Sequence, residues 1–185
     1  MRILAVSGSL RESSFNTSLL RAALEAAPEG VELELWEGIG DLPLYDEDLD
    51  DDEPESVRRL REDWAAADAI LFSTPEYNGS VPGGLKNAVD WASRPRHAGV
   101  LRNKTVAVVG ASTGQFGALW AQQDLKRILG VAGARVVGTE IPVARAHERI
   151  DAQGRLLDGE VFEQLRLHLT TLASEAAAAP DRVAA

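Results

Sequence analysis

Apolar residues along this chain follow two alternating rhythms. Residues 3–6, 69–72 and 105–109 are short, nearly unbroken apolar runs, the pattern of strands covered on both faces. Residues 31–36 alternate instead, with Val31, Leu33 and Leu35 set against Glu32 and Glu34, which predicts a strand with one wet face at a sheet edge. Between these runs, apolar positions recur at helical spacing. Leu19, Leu20, Ala23, Leu24 and Ala27 form one stripe, starting from Asn16 or Thr17 and stopped by Pro28 and Gly30. Val57, Leu60, Trp64 and Ala67 follow Pro54, and Leu85, Ala88, Val89 and Ala92 lie between Pro82 and Pro95. Ala118, Ala121, Leu125, Ile128 and Leu129 precede Gly130 and Gly133, and Val161, Leu165, Leu169 and Leu172 mark the last helix. A fifth strand falls within residues 134–143, interrupted near Gly138 and stopped around Pro142.

Strand and helix therefore alternate five times. Short apolar strands joined by amphipathic helices predict an α/β fold: a doubly wound, five-stranded parallel sheet with helices on both faces. Five such strands suit the order 2-1-3-4-5, and ligands bind outside the carboxyl ends of the strands where the winding reverses. Residues 1–175 are expected to form one domain, with no repeat or linker to divide them, and the Ala-rich residues 176–185 a frayed tail.

Three loops meet at the reversal point. The first, residues 8–16, holds Ser9, Ser13, Ser14 and Asn16 with one cation, Arg11. A helix N-terminus offers unpaired N–H groups and a positive dipole end, and hydroxyls and a guanidinium there suit phosphate oxygens. Ordinary capping by Ser or Asn is the plain alternative, although one cap needs only one such residue. The second loop contains Thr74-Pro75-Glu76-Tyr77-Asn78-Gly79-Ser80, followed by Val81-Pro82-Gly83-Gly84-Leu85-Lys86-Asn87. Asn78-Gly79 is a turn pair whose exposed backbone can read the edge of a planar heterocycle, with Tyr77 offering a flat face, or else Tyr77 is core in a rigid loop. The third loop, residues 110–117, is Gly-rich and carries no Lys or Arg.

Composition narrows the field. The net charge of −10 disfavours nucleic acid and anionic membrane surfaces as partners. With no cysteine, disulfides, iron–sulfur clusters and thiol chemistry are excluded. No apolar run approaches the ~20 residues of a membrane span, and a first strand at residue 2 leaves no room for a signal peptide, so a cytoplasmic protein is expected. His97, His147 and His168 lack ligand spacing, and no metal site is expected. The acidic stretch 46–53 reads as a solvated face, or as a docking surface for a basic electron-transfer partner. Lys86 and Asp90 are placed to pair on a helix, and Trp120 either packs that region or edges the site.

Gly8-Ser9-Leu10-Arg11-x-x-Ser14-Phe15-Asn16, the Pro75–Gly79 loop with Val81-Pro82-Gly83-Gly84-Leu85-Lys86-Asn87-Ala88, and Ser112-Thr113-Gly114-Gln115-Phe116-Gly117 together resemble the NAD(P)H-dependent FMN reductases, which include chromate and quinone reductases. The resemblance spans roughly residues 3–172 and implies a flavodoxin-like fold with noncovalent FMN. By matching position it implies that Ser9, Arg11, Ser14 and Asn16, with Phe15 between them, hold the phosphate. Pro75, Glu76, Tyr77, Asn78 and Gly79 would meet the isoalloxazine, and Ser112 and Gly114 the ring or ribityl chain. No side chain need act as nucleophile or base, because the flavin N5 carries the chemistry. The expected reaction is ping-pong: hydride from NAD(P)H to FMN, then electrons to a quinone, flavin, azo compound or metal oxyanion. Backbone N–H groups of residues 110–117 are expected to face the charge of the reduced ring. The resemblance also implies a homodimer or homotetramer, with the helix after Pro82 and residues 42–53 as interface candidates. The competing class is a non-enzymatic electron carrier of flavodoxin type.

Overall fold

The computed structural model describes residues 1–179, and in it every neighbouring strand pair is parallel. The chain runs β1 (Arg2–Ser7), α1 (Phe15–Glu25), β2 (Glu32–Trp36), α2 (Glu55–Ala66), β3 (Ala69–Thr74), α3 (Gly83–Ala92), β4 (Thr105–Ala111), α4 (Leu119–Val131), β5 (Arg135–Val136), β6 (Pro142–Val143), α5 (Ala146–Arg149) and α6 (Gly159–Ala177). The sheet order is β2-β1-β3-β4-β5, with β6 also on β4. This is the flavodoxin-like order read from the sequence, with β2 at the edge.

The two-residue period of a strand explains why its apolar runs are continuous. Ile3, Ala5, Ala69, Leu71, Ala107 and Val109 face one side and pack on Leu19 and Leu20 of α1 and Val161, Leu165, Leu169 and Leu172 of α6. Leu4, Val6, Ile70, Phe72, Val106 and Val108 face the other, against Leu60 and Trp64 of α2, Leu85 and Val89 of α3, and Leu125 and Leu129 of α4. Both faces of β1, β3 and β4 are thus removed from water. In register, Ser7 lies beside Ser73 and Thr74 beside Gly110, so the first three loops leave the sheet at one level.

The far edge departs from the expected strand. Residues 134–143 give two short pieces, β5 and β6, both paired to β4. Gly138 sits between them with φ +73, and a side chain there would run into the His168 ring at 2.7 Å from Nδ1. Pro142 opens β6 rather than ending the strand, a place an edge strand allows because no further neighbour needs its missing N–H. Helix α1 starts at Phe15, just before the expected start at Asn16 or Thr17, because Ser14 is its cap. Pro54 and Pro82 stand at the cap positions of α2 and α3. Helix α6 continues through Ala177, past the expected start of the tail at 176, and residues 180–185 of that tail lie outside the described residues. No helix among the described residues is long and apolar enough to cross a membrane.

Candidate functional site

The loop after β1 is held by its own hydroxyls. Ser7 Oγ accepts from Ser9 N at 3.3 Å and from Thr17 Oγ1 at 2.9 Å, and Ser9 Oγ accepts from Arg11 N at 3.4 Å. Ser14 Oγ accepts from the N–H groups of Asn16 and Thr17 at 3.2 and 3.3 Å, which caps α1 with a neutral group. The backbone N–H groups of Glu12, Ser13, Ser14 and Phe15 make no hydrogen bond within the described residues. Arg11 folds back, its Nη2 donating to Ser13 O at 2.8 Å and its guanidinium lying 5.7 Å from the Phe15 ring centroid. It has no acidic partner among the described residues. A cation and four donors thus stand at the positive end of a helix.

Asn16 does something other than expected. Its side chain is buried and turned inward, Oδ1 accepting from Ala111 N at 3.0 Å and from Ser73 Oγ at 2.9 Å, while Nδ2 donates to Ala111 O at 3.0 Å. The carboxamide is a rivet joining α1 to β3 and β4, because it mimics a peptide group and completes the end of the sheet. These bonds fix the start of α1 and the loop before it against β3 and β4.

The loop after β3 is a two-residue hairpin turn. Tyr77 and Ser80 exchange backbone hydrogen bonds of 3.1 and 3.2 Å, and Asn78 and Gly79 both take positive φ, 53° and 74°. Asn-Gly is the pair that a type I′ turn demands. Pro75 is buried at its base, where Thr74 Oγ1 donates to Pro75 O at 2.8 Å. Tyr77 is 51% exposed, so it is not core.

Glu76 reaches across to the third loop. Its Oε2 accepts from the N–H groups of Trp120 and Ala121 at 3.1 and 3.2 Å, and the next turn is tied by Ser80 Oγ donating to Asp124 at 2.7 Å. Helix α4 needs this, because its own cap residue, Ala118, has no side-chain acceptor. The sequence signal was the lack of Ser, Thr, Asp or Asn before Leu119. In the same loop Gly117, φ +57, presses on the backbone of β6, where a Cβ would stand 2.7 Å from Val143 N. Buried Gln122, a polar residue in an otherwise apolar stripe, donates to Gly117 O at 3.1 Å and accepts from Ile141 N at 3.0 Å. The N–H groups of Gly110, Ala111 and Ser112 are bonded within the protein, to Ile141 O, Asn16 Oδ1 and Val143 O. Those of Thr113 and Gly114 have no partner among the described residues, which leaves these two as open donors in the loop expected to face the ring.

These loops enclose a cleft of about 120 Å³. Ser9, Arg11, Ser14, Phe15 and Asn16 line one end, and Pro75, Glu76, Tyr77, Ala111, Ser112 and Thr113 the other. Asn78 and Gly79 stand at the tip of the turn beside it, and Gly114 O is taken by Arg145 N at 3.0 Å. A second cavity of about 350 Å³ shares Ser9 and Arg11 and extends to Trp36 and Ile39 at the end of β2. Residues far apart in sequence thus meet as a cationic, donor-rich end and a backbone-rich end, an arrangement suited to a mononucleotide carrying a flat ring.

Other singled-out residues lie elsewhere. Lys86 pairs with Asp90 at 2.7 Å on α3. The acidic stretch 46–53 is partly neutralised, Arg61 pairing with Asp50 at 3.7 Å and also with Glu53. His168 is buried beneath Gly138, and desolvation, helped by the Lys126 cation, lowers its pKa to about 4.

Comparison with known proteins gives the family. The family model of NADPH-dependent FMN reductase matches residues 1–148. An NAD(P)H-dependent FMN reductase of Pseudomonas aeruginosa is 42% identical over 174 residues, 93% of each chain. A 2-hydroxy-1,4-benzoquinone reductase of a Burkholderia species is 39% identical over 179 residues, covering 96% of this chain and 95% of that one. Among solved structures, the flavoenzyme NAD(P)H:(acceptor) oxidoreductase FerB of Paracoccus denitrificans superposes with a TM-score of 0.86 at 36% identity, covering 96% of this chain and 98% of its own. The chain belongs to the NADPH-dependent FMN reductase family.

Proposed function

We propose that the cleft holds FMN, with the phosphate on the start of α1 and the ring against the Tyr77–Ser80 turn, and that the enzyme carries electrons from NAD(P)H to a small acceptor of the quinone class. One observation supports this above the others. The N-terminus of α1 has a neutral cap and, among the described residues, N–H groups without a partner and a guanidinium with no acidic partner beside it, whereas the neighbouring N-terminus of α4 already holds a carboxylate. Bound FMN supplies two-electron transfer, by which NAD(P)H, one proton and a quinone become NAD(P)⁺ and a hydroquinone.

The side chains bind and position. Ser9, Arg11 and Ser14 serve the phosphate, and Asn16 keeps their loop against β4. The turn at Asn78-Gly79 and the free N–H groups of Thr113 and Gly114 serve the ring edge, where donors favour the charge that reduction places there. Donor and acceptor use the site in turn, a ping-pong scheme. The flavin loops sit in a homodimer or homotetramer in the cytoplasm. The loop before α2 supports that assembly: Leu44 is 83% exposed while Pro43 O is fixed by Asn87 and Trp91 of α3 at 2.8 and 2.9 Å.

Stopped-flow mixing of the purified yellow protein with NADPH and with NADH, then with an acceptor panel, tests the reading. Rapid bleaching, reoxidation by quinones and parallel initial-velocity lines are expected. A protein that binds FMN but is not reduced by either nucleotide, or that stabilises a one-electron state, is a carrier instead, and intersecting lines reject the ping-pong scheme.

A further inference from the structure

Gln122 is fully buried, in a stripe of α4 otherwise made of Ala121, Leu125 and Leu129. A buried carboxamide is costly unless both its ends are bonded. Both are: Nε2 donates to Gly117 O at 3.1 Å, and Oε1 accepts from Ile141 N at 3.0 Å. The end of β4 makes room for it, since a Cβ on Gly110 would stand 3.0 Å from Gln122 Nε2. The backbone N–H of Gln122 also donates to Ala118 O at 3.0 Å. Gly117 and Ala118 are consecutive left-handed residues, φ 57° and 61°, and Ala118 carries a Cβ that this conformation disfavours. One residue thus holds the strained turn that ends the third loop.

Its other partner begins a brace. From Ile141 the chain passes through β6 to Ala146 and is bonded along the third loop. Ser112 N donates to Val143 O at 3.1 Å, Arg145 N to Gly114 O at 3.0 Å, and Ala146 N to Ser112 O at 2.9 Å. Gln122 therefore joins the end of the loop to the start of the segment that braces it. In a trans peptide the C=O and N–H point in opposite directions. Ser112 O points at Ala146, so the Thr113 N–H of the same peptide points away from it. Thr113 lines the cleft, and its N–H has no partner among the described residues. A donor fixed in advance stabilises developing charge without reorganisation, whereas a loose one must first be ordered.

We infer that Gln122 is a positioning residue for the flavin: by holding the third loop and its brace together, it fixes the Thr113 N–H toward the ring edge and favours binding of reduced over oxidised FMN. The inference rests on the proposed flavin site and names what sets the driving force there. Gln122 acts only through the backbone of Gly117 and Ile141.

The test is the midpoint potential of the FMN-loaded protein, measured by dye-coupled titration beside the Kd for oxidised FMN. Gln122→Met keeps the volume and loses both side-chain bonds. Its preference for reduced over oxidised FMN should fall roughly tenfold, which lowers the two-electron potential by about 30 mV. Gln122→Asn, one methylene too short to reach both partners, should shift the potential the same way by less, and it carries the test alone if Gln122→Met does not fold. Leu60→Ala cuts a buried side chain of α2, a helix outside the brace, and should leave the potential unchanged. An unchanged potential in the folded, FMN-loaded Gln122 variants overturns the assignment and spares the flavin site. An equal fall in Leu60→Ala also overturns it, because general loosening then accounts for the shift. Wild-type protein that binds no FMN overturns the flavin site and the role of Gln122 together.

Discussion

Two helices begin at the same rim of the sheet, and they begin differently. Helix α1 is capped from within, by the neutral Ser14, and the N–H groups of Glu12, Ser13, Ser14 and Phe15 have no partner among the described residues. Helix α4 is capped from outside, by the charged Glu76 of another loop. The dipole of each helix favours a negative charge at its start. At α4 the protein supplies that charge itself, which makes a joint between two loops. At α1 it withholds the charge, which leaves that end open to the phosphate proposed there. The same physical feature serves as structure in one place and, in the proposed function, as recognition in the other.

The largest effect should come from breaking the rivet that keeps the α1 end seated. Asn16→Leu removes three buried hydrogen bonds and strands the N–H and C=O of Ala111. At about 1 kcal/mol per bond plus the cost of buried unpaired groups, the loss should be ~3–5 kcal/mol in urea unfolding. FMN affinity should fall with it. A loss under ~1 kcal/mol would mean that the loop is held mainly by its hydroxyls, and the contrast between the two helix starts would weaken.

Acid should loosen the sheet edge at β5 and β6, where the His168 ring of α6 lies against Gly138. Lys126 of α4 donates to Gly138 O at 2.9 Å, directly over His168. The folded pKa of His168 is depressed, from 6.5 to about 4, so its contribution is fully present above pH 6.5 and is lost as the pH falls toward 4. The full swing is up to ~3 kcal/mol at 1.36 kcal/mol per unit. Chemical unfolding at a series of pH values should show this slope, and His168→Gln should flatten it. Hydrogen exchange in α6 around His168 should quicken first as the pH falls, and unchanged exchange there would show that burial of the ring carries none of the slope.

What could be read beforehand follows the same division between local and distant. The sheet, its order and the buried stripes were legible because they depend on periods within one segment. So was the α1 loop, whose hydroxyls and Arg11 act on their own neighbours. Capping by Ser or Asn was the plain alternative to phosphate chemistry, and Ser14 is the cap, which puts Asn16 in the interior of the first turn. Glu76, Gln122 and His168 were not legible, since their partners lie 44, 19 and some 30 residues away. The broken strand at residues 134–143 was half legible: Gly138 marked the interruption, but only the His168 ring explains it.

The smallest of these effects decides whether the α1 seat is a seat for phosphate. Arg11 offers a fork already held near the loop by Ser13 O and the Phe15 ring, with further N–H donors to spare. A charge-assisted contact from it should contribute ~1.5–3 kcal/mol to FMN binding, so Arg11→Ala should raise the FMN Kd by roughly ten- to a hundredfold. Arg11→Lys keeps the charge and loses the planar fork, and should recover only part of that. Riboflavin, which lacks the phosphate, supplies the control: its affinity should be nearly the same for wild type and Arg11→Ala. If Arg11→Ala weakens riboflavin as much as FMN, the guanidinium is shaping the loop through Ser13 and Phe15 instead of meeting the anion. The two helix starts would then both be structural.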